Sequence, residues 1–376
     1  MDDLMVVANK YRNDVVEFCQ RLVQTPSLSG QEGEMAGLVQ AEMAMLGYDD
    51  IVVDDVGNVV GTMRGAGNGT SVEFNGHMDV VDAGDPARWP YPPFGGEIHN
   101  GSIWGRGASD MKGALASIIY GVAMLRQMGI RTAGDIYVAA VVMEETGGLG
   151  TIHLTRYLRP DAAVIGESSR GALARGHRGR CEIVVTVTGK SVHASVPQQG
   201  ANPHYTMAAF IERLKTIPLG DDAFLGPASL APTLYIGDQR SANVTPGQCS
   251  LHLDWRNVPN DDVEAFIATL RNELRECLQD GCTGEVKVQM EDAVTYTGRA
   301  FPLASVFPSF ALPEEHPLIG RAAAALAATF GVSPPVVHWS FATDGGHLMK
   351  SGIPVVGYGA ADERLAHTVE DRIEVE

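Results

Sequence analysis

DIYVAAVVMEETGG, residues 135–148, passes without a break from an apolar, β-branched segment into two adjacent acids and a pair of glycines. Residues 135–143 read as a strand buried inside a sheet. Glu144 and Glu145 then stand side by side where that strand ends. Like charges in contact repel, and burial penalises both. Gly147, Gly148 and Gly150 allow a tight turn directly afterwards. Two readings are open for the paired acids. Either they start a solvated loop, or a cation neutralises them and further ligands converge from elsewhere in the chain.

The chain has 376 residues, long for a single hydrophobic core, and two domains are expected. Hydrophobic residues make up 45% and charged residues 20%, a globular balance that excludes a fibrous or disordered chain. A formal net charge of −18 argues against nucleic acid or an anionic membrane as partner. No run approaches the roughly 20 apolar residues of a membrane span. The N-terminal MDDLMVVANKYRNDVVEF is acidic and then amphipathic, unlike a signal peptide. Cys19, Cys181, Cys249, Cys277 and Cys282 are an odd set with no CxxC pair, and they read as reduced thiols. A cytoplasmic protein is expected.

Residues 6–24 and 32–47 have helical apolar spacing, and between them Ser29 and Glu32 stand in capping-box order. Strands are expected at IVVDD, NVVGTMR, SVEFNG and SIWG, then a long helix within MKGALASIIYGVAMLRQMG, then strands at DIYVAAVVM and DAAVIGE. Strands alternating with helices predict an α/β layer with helices on both faces of the sheet. The pattern changes near residue 178. GRCEIVVTVTGKS alternates with period two. Helix NPHYTMAAFIERLKTI follows, then strands PTLYIGDQR and QCSLHLDWRNV, helix DDVEAFIATLRNELRECLQ and strand EVKVQMEDA. That β-α-β-β-α-β order is the ferredoxin-like unit. After residue 295 the α/β pattern returns with helix EEHPLIGRAAAALAATFG and strands PPVVHWS and PVVGYG. The expected fold class is α/β. A first domain at 1–177 and 295–376 is interrupted by an inserted α+β ferredoxin-like domain at 178–294.

Other element ends carry metal-ligating side chains. His77-Met78-Asp79 ends SVEFNG, so His77 and Asp79 can turn toward one pocket. Asp79 could accept the second imidazole N–H of a ligating His77, although a core histidine bonded to a local acid fits the same triplet. Asp110, in GRGASDMKG, precedes the long helix, where it could cap, ligate, or do both. Glu167 ends DAAVIGE, and His367 follows a loop in LAHTVEDRIEV. In open α/β sheets, ligands gather at the carboxyl ends of strands. Two histidines with three or four carboxylates suit a pair of divalent ions sharing a bridging carboxylate. Imidazole with carboxylate favours zinc, with cobalt or manganese as substitutes.

NGHMDVV, WPYPPFGGEIHNGSIWGRGASDMKGALAS, VVMEETGGLGT, IGESS, the insert and AHTVEDRIEV together resemble one family over nearly the whole chain. It is the dinuclear zinc family of acetylornithine deacetylase, succinyl-diaminopimelate desuccinylase, aminoacylase and carboxypeptidase G. The resemblance implies a mixed-sheet, zinc-exopeptidase-like catalytic domain with two divalent ions per chain. It implies that His77 and Glu167 hold one ion and that Glu145 and His367 hold the other. Asp110 would bridge them, with a cis peptide to Met111. Asp79 would orient His77, and Glu144 would be the general base.

On the substrate side, His193 in GKSVHASVP corresponds to a histidine that reaches an active site across a homodimer interface made by the insert. Read alone, it is an ordinary surface histidine. SANVTPG and LDWRNVP resemble substrate-carboxylate motifs and implicate Asn243 and Arg256. Arg256 could grip a carboxylate bidentately, or pair with Asp254 or Asp261. TDGGHLMKSGIP resembles the family's substrate loop, with Thr343 and Gly345 as contacts and His347 not a ligand. His99, His153, His177, His204, His252, His316 and His338 are read as structural. VVDAGD stands where the family usually has a proline after the HxD triplet. Glu at 167 is the form common among acylases and desuccinylases, whereas Asp marks aminopeptidases. The expected activity is metal-dependent hydrolysis of a small N-acyl amino acid, with a dipeptidase or carboxypeptidase as runner-up. A catalytically silent metal-binding scaffold is disfavoured, because Glu144, all five ligands and His193 are in place. RGHRGRCEIVVTVTGKSVHAS and the end segment resemble most a bacterial branch of hydrolases.

Overall fold

A computed structural model describes residues 2–375. The larger of its sheets has nine strands. Four are parallel neighbours, in the order Ile136–Val141, Val72–His77, Ala162–Ile165 and Val355–Gly357. Their carboxyl ends therefore open along one rim. Antiparallel strands flank them. Val59–Met63 and Asp50–Val53 lie beyond Ile136–Val141, and Leu173–His177 and Phe310–Ala311 lie beyond Val355–Gly357. The sheet is thus mixed, with a wholly parallel centre.

The opening segment behaves as its composition requires. Val138, Ala140 and Val142 join the core that holds Phe18 and Leu22 of helix Asp2–Gln24, Met35 of helix Gly33–Leu46 and Leu115 of helix Gly113–Gln127. Ala139 and Val141 pack with Leu154 on the other face. A strand covered on both faces has no polar period to show, hence its continuous apolar run.

A second core belongs to the insert. In chain order its elements are strand Arg180–Thr188, helix Pro203–Leu214, strands Ser229–Gly237 and Gln248–Arg256, helix Val263–Cys277 and strand Thr283–Val288. The strands are antiparallel, in the spatial order Ser229–Gly237, Gln248–Arg256, Arg180–Thr188, Thr283–Val288. This is the ferredoxin-like arrangement. Cys181, Ile183, Val185 and Val187 face that core with Trp255 and Phe210. By alternation Arg180 and Glu182, with Asp254 and Arg256 beside them, lie on the outward face.

Two local expectations change. EVKVQMEDA is not one strand: it breaks at Gln289 between Thr283–Val288 and Met290–Val294. The Gln289 N–H donates to the Glu182 carbonyl at 2.8 Å, and its carbonyl accepts from the Ser305 N–H at 2.9 Å. Beyond it the chain leaves the inserted sheet and pairs with Ala300–Ala304. Ala293 and Leu303 of that hairpin pack into the first core. The Tyr296 hydroxyl donates to the Gly57 carbonyl at 3.0 Å. Nor do Ser29 and Glu32 form a capping box. Glu32 occupies the cap position without a side-chain cap bond, because both side chains are engaged by the strand ends. All five cysteines are buried and unbridged. No helix among the described residues is long and apolar enough to cross a membrane.

Candidate active site

Three adjacent parallel strands deliver His77, the Glu144–Glu145 pair and Glu167 to one rim of the sheet. Asp110 comes from a wide turn, Ala108–Lys112, whose backbone is non-helical at Asp110 and Met111 and contains the cis peptide between them. Lys112 holds the cap position of the following helix, so Asp110 does not cap it. His367 arrives from the segment after Val355–Gly357 with a φ of 60°.

Asp110 is shared. Its Oδ1 lies 3.0 Å from His77 Nε2 and its Oδ2 lies 3.1 Å from His367 Nε2. Glu167 Oε1 is 3.3 Å from His77 Nε2, and Glu145 Oε2 is 3.0 Å from His367 Nε2. Two triplets result, His77–Asp110–Glu167 and Asp110–Glu145–His367, each with its ligand atoms within 4.8 Å of one another. Glu167 Oε2 is buried with no protein partner. A buried, unpartnered carboxylate oxygen is costly, and a cation would satisfy it. Once ionised, Asp110, Glu144, Glu145 and Glu167 would carry four negative charges between them, which two divalent ions would balance. The residues therefore fit a dinuclear centre.

A second layer fixes the first. The Asp79 carboxylate accepts the Glu144 and Glu145 N–H groups at 3.0 and 3.1 Å and the Ser29 hydroxyl at 2.6 Å. His77 Nδ1 meets the Asp79 carbonyl at 2.8 Å but its carboxylate only at 3.7 Å. Asp79 thus orients His77 through its backbone and anchors the paired acids through its side chain, a second task the sequence did not reveal. Glu32 Oε1 accepts the Gly30 and Met143 N–H groups at 2.9 and 3.1 Å. Met143 has a φ of 55°, sterically costly for a residue with a side chain. Burial, and then the charge of Asp79, pushes Glu32 up to about 7.

The protein groups by themselves strongly perturb the site. Burial pushes Glu144 well above the usual carboxylate range, with His77 opposing and Asp344, Glu167 and Glu145 reinforcing. Burial, and then the charge of Asp110, pushes Glu145 up to about 7. Burial also works against ionised Asp110, but its bonds to His367 and His77 outweigh this and hold it well below the ordinary range. Bonds to Asp110 and Glu145 raise His367 to about 10.

The triplets open into a cleft of about 500 Å³. The acids and His367 form one wall, Arg180, Asp254 and Arg256 of the insert another, and Ser340, Phe341 and Ala342 a third. Arg256 does pair with Asp254, Nε to Oδ1 at 2.6 Å and Nη2 to Oδ2 at 3.2 Å, yet it still faces the cleft. Thr343 and Gly345, expected as substrate contacts, are buried behind the wall. The Thr343 N–H donates to His177 Nε2 at 3.1 Å, and its hydroxyl accepts the Gly345 N–H at 3.1 Å. Their loop reaches the cleft through the three residues before Thr343 instead. His193 and Asn243 are exposed neighbours, with the Ala194 N–H donating to the Asn243 carbonyl at 2.8 Å, and neither lines the cleft. His347 is buried outside both triplets. Arg180 was not singled out by the sequence, although the period-two pattern puts it on the same outward face as Arg256.

A family model for peptidase family M20/M25/M40 matches residues 74–376. The chain belongs to that family. Its members are metal-dependent hydrolases, and this chain is one. The uncharacterised protein YgeY of Escherichia coli is 29% identical over 372 residues, covering 97% of this chain and 91% of its own. A succinyl-diaminopimelate desuccinylase of Cereibacter sphaeroides is 28% identical over 382 residues, covering 96% of this chain and 94% of its own. Aminopeptidase PepT of Bacillus cereus superposes with a TM-score of 0.76 at 21% identity, over 97% of this chain and 94% of that one. A Bacillus subtilis structure described as a dinuclear metal-binding peptidase of the M20 family superposes at 0.70 and 16% identity, over 98% and 94%. At these identities the superpositions establish the fold, an α/β catalytic domain carrying an insert.

An imidazole ligates only in its neutral form, so a cation must displace the proton that the acids hold on His367. Affinity for zinc or cobalt should therefore rise with pH and level off only above about 10, where His367 loses its proton. Calorimetric titration in two buffers of different ionisation enthalpy should show proton release. A pH-independent affinity without proton release would remove His367 from the ligand set.

Proposed function

We propose that this hydrolase cleaves the amide bond of small N-acyl amino acids, in the manner of a deacetylase or desuccinylase, with two zinc ions that cobalt or manganese can replace. One observation carries the reading. Asp110 offers one oxygen to each of two histidine–carboxylate triplets, and Glu144 lines the same cleft outside both. His77 and Glu167 would hold one ion, Glu145 and His367 the other, with Asp110 between them. When bound, such ions supply Lewis-acid polarisation of a water and of the scissile carbonyl.

The proton work falls to Glu144. It is buried, which favours proton uptake, and Asp79 fixes its backbone. It takes a proton as the water oxygen adds to the amide carbon, then gives it to the amine nitrogen as the C–N bond breaks. The acyl-amino-acid reading draws support from the desuccinylase relatives, which match 96% of the chain, and from glutamate at 167. A dipeptidase or carboxypeptidase would use the same residues, so the substrate panel must include dipeptides beside N-acetyl, N-formyl and N-succinyl amino acids.

The insert is proposed to form a homodimer. Its edge strand Ser229–Gly237 leaves Leu234, Tyr235 and Ile236 exposed by 50, 42 and 48%. An apolar sheet edge is a template for a second chain. His193 and Asn243, which do not line their own cleft, would then serve the partner's cleft. There the His193 N–H would donate to the oxygen that gains charge in the tetrahedral intermediate.

Glu144→Gln should abolish turnover, by about 10²–10⁴-fold or more, while zinc content stays at the wild-type level, because Gln cannot accept the proton. Glu145→Gln should instead lose metal. Equal metal loss in both variants would refute this division of labour.

His193→Ala should cut kcat by on the order of 10²-fold with metal content unchanged. Inactive Glu144→Gln chains mixed with inactive His193→Ala chains should regain activity once chains have exchanged. No recovery after verified exchange would confine His193 to its own chain or remove it from catalysis.

A further inference from the structure

The geometry points to Arg180 as a second reader of the substrate's carboxylate, gripping it jointly with Arg256 while Asp254 holds the two guanidiniums side by side. This inference rests on the N-acyl amino acid reading and adds a specificity-determining residue that no motif marked.

Asp254 lies between the two arginines. It accepts Arg256 Nε at 2.6 Å and Arg256 Nη2 at 3.2 Å, and it accepts Arg180 Nε at 3.1 Å. A guanidinium carries five N–H donors in a flat fork. Arg180 spends one on Asp254. Glu182 Oε2 is 3.6 Å from Arg180 Nη2, an ion pair too long for a hydrogen bond, and Glu182 Oε1 meets His252 Nδ1 at 2.9 Å. The terminal fork of Arg180 is therefore free for a carboxylate, the geometry such forks match best.

Charge sets how many carboxylates the site takes. Burial disfavours ionised Asp254, but its bonds to Arg256 and Arg180 outweigh this and hold it below the ordinary carboxylate range, so it stays charged. Two guanidiniums stand against Asp254 and the more distant Glu182, so the protein charges there come close to balancing. The open fork of Arg180 gives one substrate carboxylate its hydrogen bonds. A second would add further negative charge to a cleft that Glu363 and the acids of the metal wall already line. The matching substrate has one free carboxylate on the amino acid that leaves as the amine product.

The position is also rigid. Asp254 pairs with Glu182 and Trp255 with Cys181 across adjacent antiparallel strands, so Arg180 and Arg256 follow at neighbouring strand ends. Both side chains line the cleft and are only 37% and 30% exposed. Sites on strands hold their geometry better than sites on loops.

The test compares N-acetyl amino acids with their α-carboxamides on the zinc-loaded enzyme. Arg180→Ala should lower kcat/KM for the acids by roughly 10–150-fold, the fold-change equivalent of a charge-assisted hydrogen bond, with a raised KM, and leave the amide kinetics nearly unchanged. Arg180→Lys, which keeps the charge but not the fork, should fall between. Arg180→Gln, with an unchanged melting temperature, guards against a folding defect. Equal losses on acid and amide, or no loss on either, would overturn the assignment. So would an acid preference abolished by Arg256→Ala but untouched by Arg180→Ala. If the wild-type enzyme cleaves none of these compounds, the substrate reading fails separately. Arg180 is then judged by equilibrium binding of the same acids and amides. Weaker acid binding in Arg180→Ala alone supports the assignment, and equal binding by wild type and variant overturns it.

Discussion

Mutual repulsion among buried carboxylates is the constraint on which this structure depends. Asp110, Glu144, Glu145 and Glu167 crowd one rim of a parallel sheet, where burial weakens the screening by water. Without positive charge the cheapest response is protonation, and burial drives Glu144, Glu145 and Glu167 that way. Only Asp110, bonded to both imidazoles, is held firmly ionised. That asymmetry suits the proposed division of roles, in which the shared carboxylate always carries charge and Glu144 is the group whose proton comes and goes.

The backbone must then hold adjacent acids apart. Consecutive residues after a strand end diverge, so Glu145 can meet His367 while Glu144 turns to the open cleft. The divergence is anchored rather than left to the loop. One Asp79 carboxylate receives both amide N–H groups, and Glu32 receives the Met143 N–H at the left-handed residue just before them. Ser29 completes the arrangement by donating to Asp79. A buried aspartate that accepts three hydrogen bonds is satisfied, whereas the same residue with one partner would be a liability.

This division explains what the sequence disclosed. Chemistry-bearing residues at strand ends stood out, because a histidine or acid directly after an apolar run is conspicuous. All five expected ligands meet in two triplets. The β-α-β-β-α-β order of the insert was equally plain, since its central strands, Arg180–Thr188 and Gln248–Arg256, alternate between core and outward face. Residues that act through the backbone of others were hidden. Ser29 and Glu32 have the spacing of a capping box, and a local motif masked their long-range partners at Asp79 and Met143. The break at Gln289 leaves the alternation of EVKVQMEDA untouched and is set by Glu182 and Ser305, distant in sequence. Thr343 and Gly345 came from a motif that marked their loop rather than the residues of it that line the cleft. Which of its residues reaches the cleft is decided by the Thr343 bond to His177.

The two cores place opposite charges on opposite walls. The acids ride on the parallel sheet, and the arginine pair rides on a sheet with its own core. One segment that connects these bodies is the hairpin whose Ala293 and Leu303 are packed into the first core. A substrate whose carboxylate engages Arg180 and Arg256 while its amide lies against Glu144 must touch both walls at once. Binding energy gathered at the arginines is then available to fix the separation of the walls, and so the position of the amide against Glu144. A ligand lacking the carboxylate would hold only one wall, and its amide would not be fixed against the acids. On this argument the insert contributes to selectivity through the spacing of the two walls as well as through its own contacts.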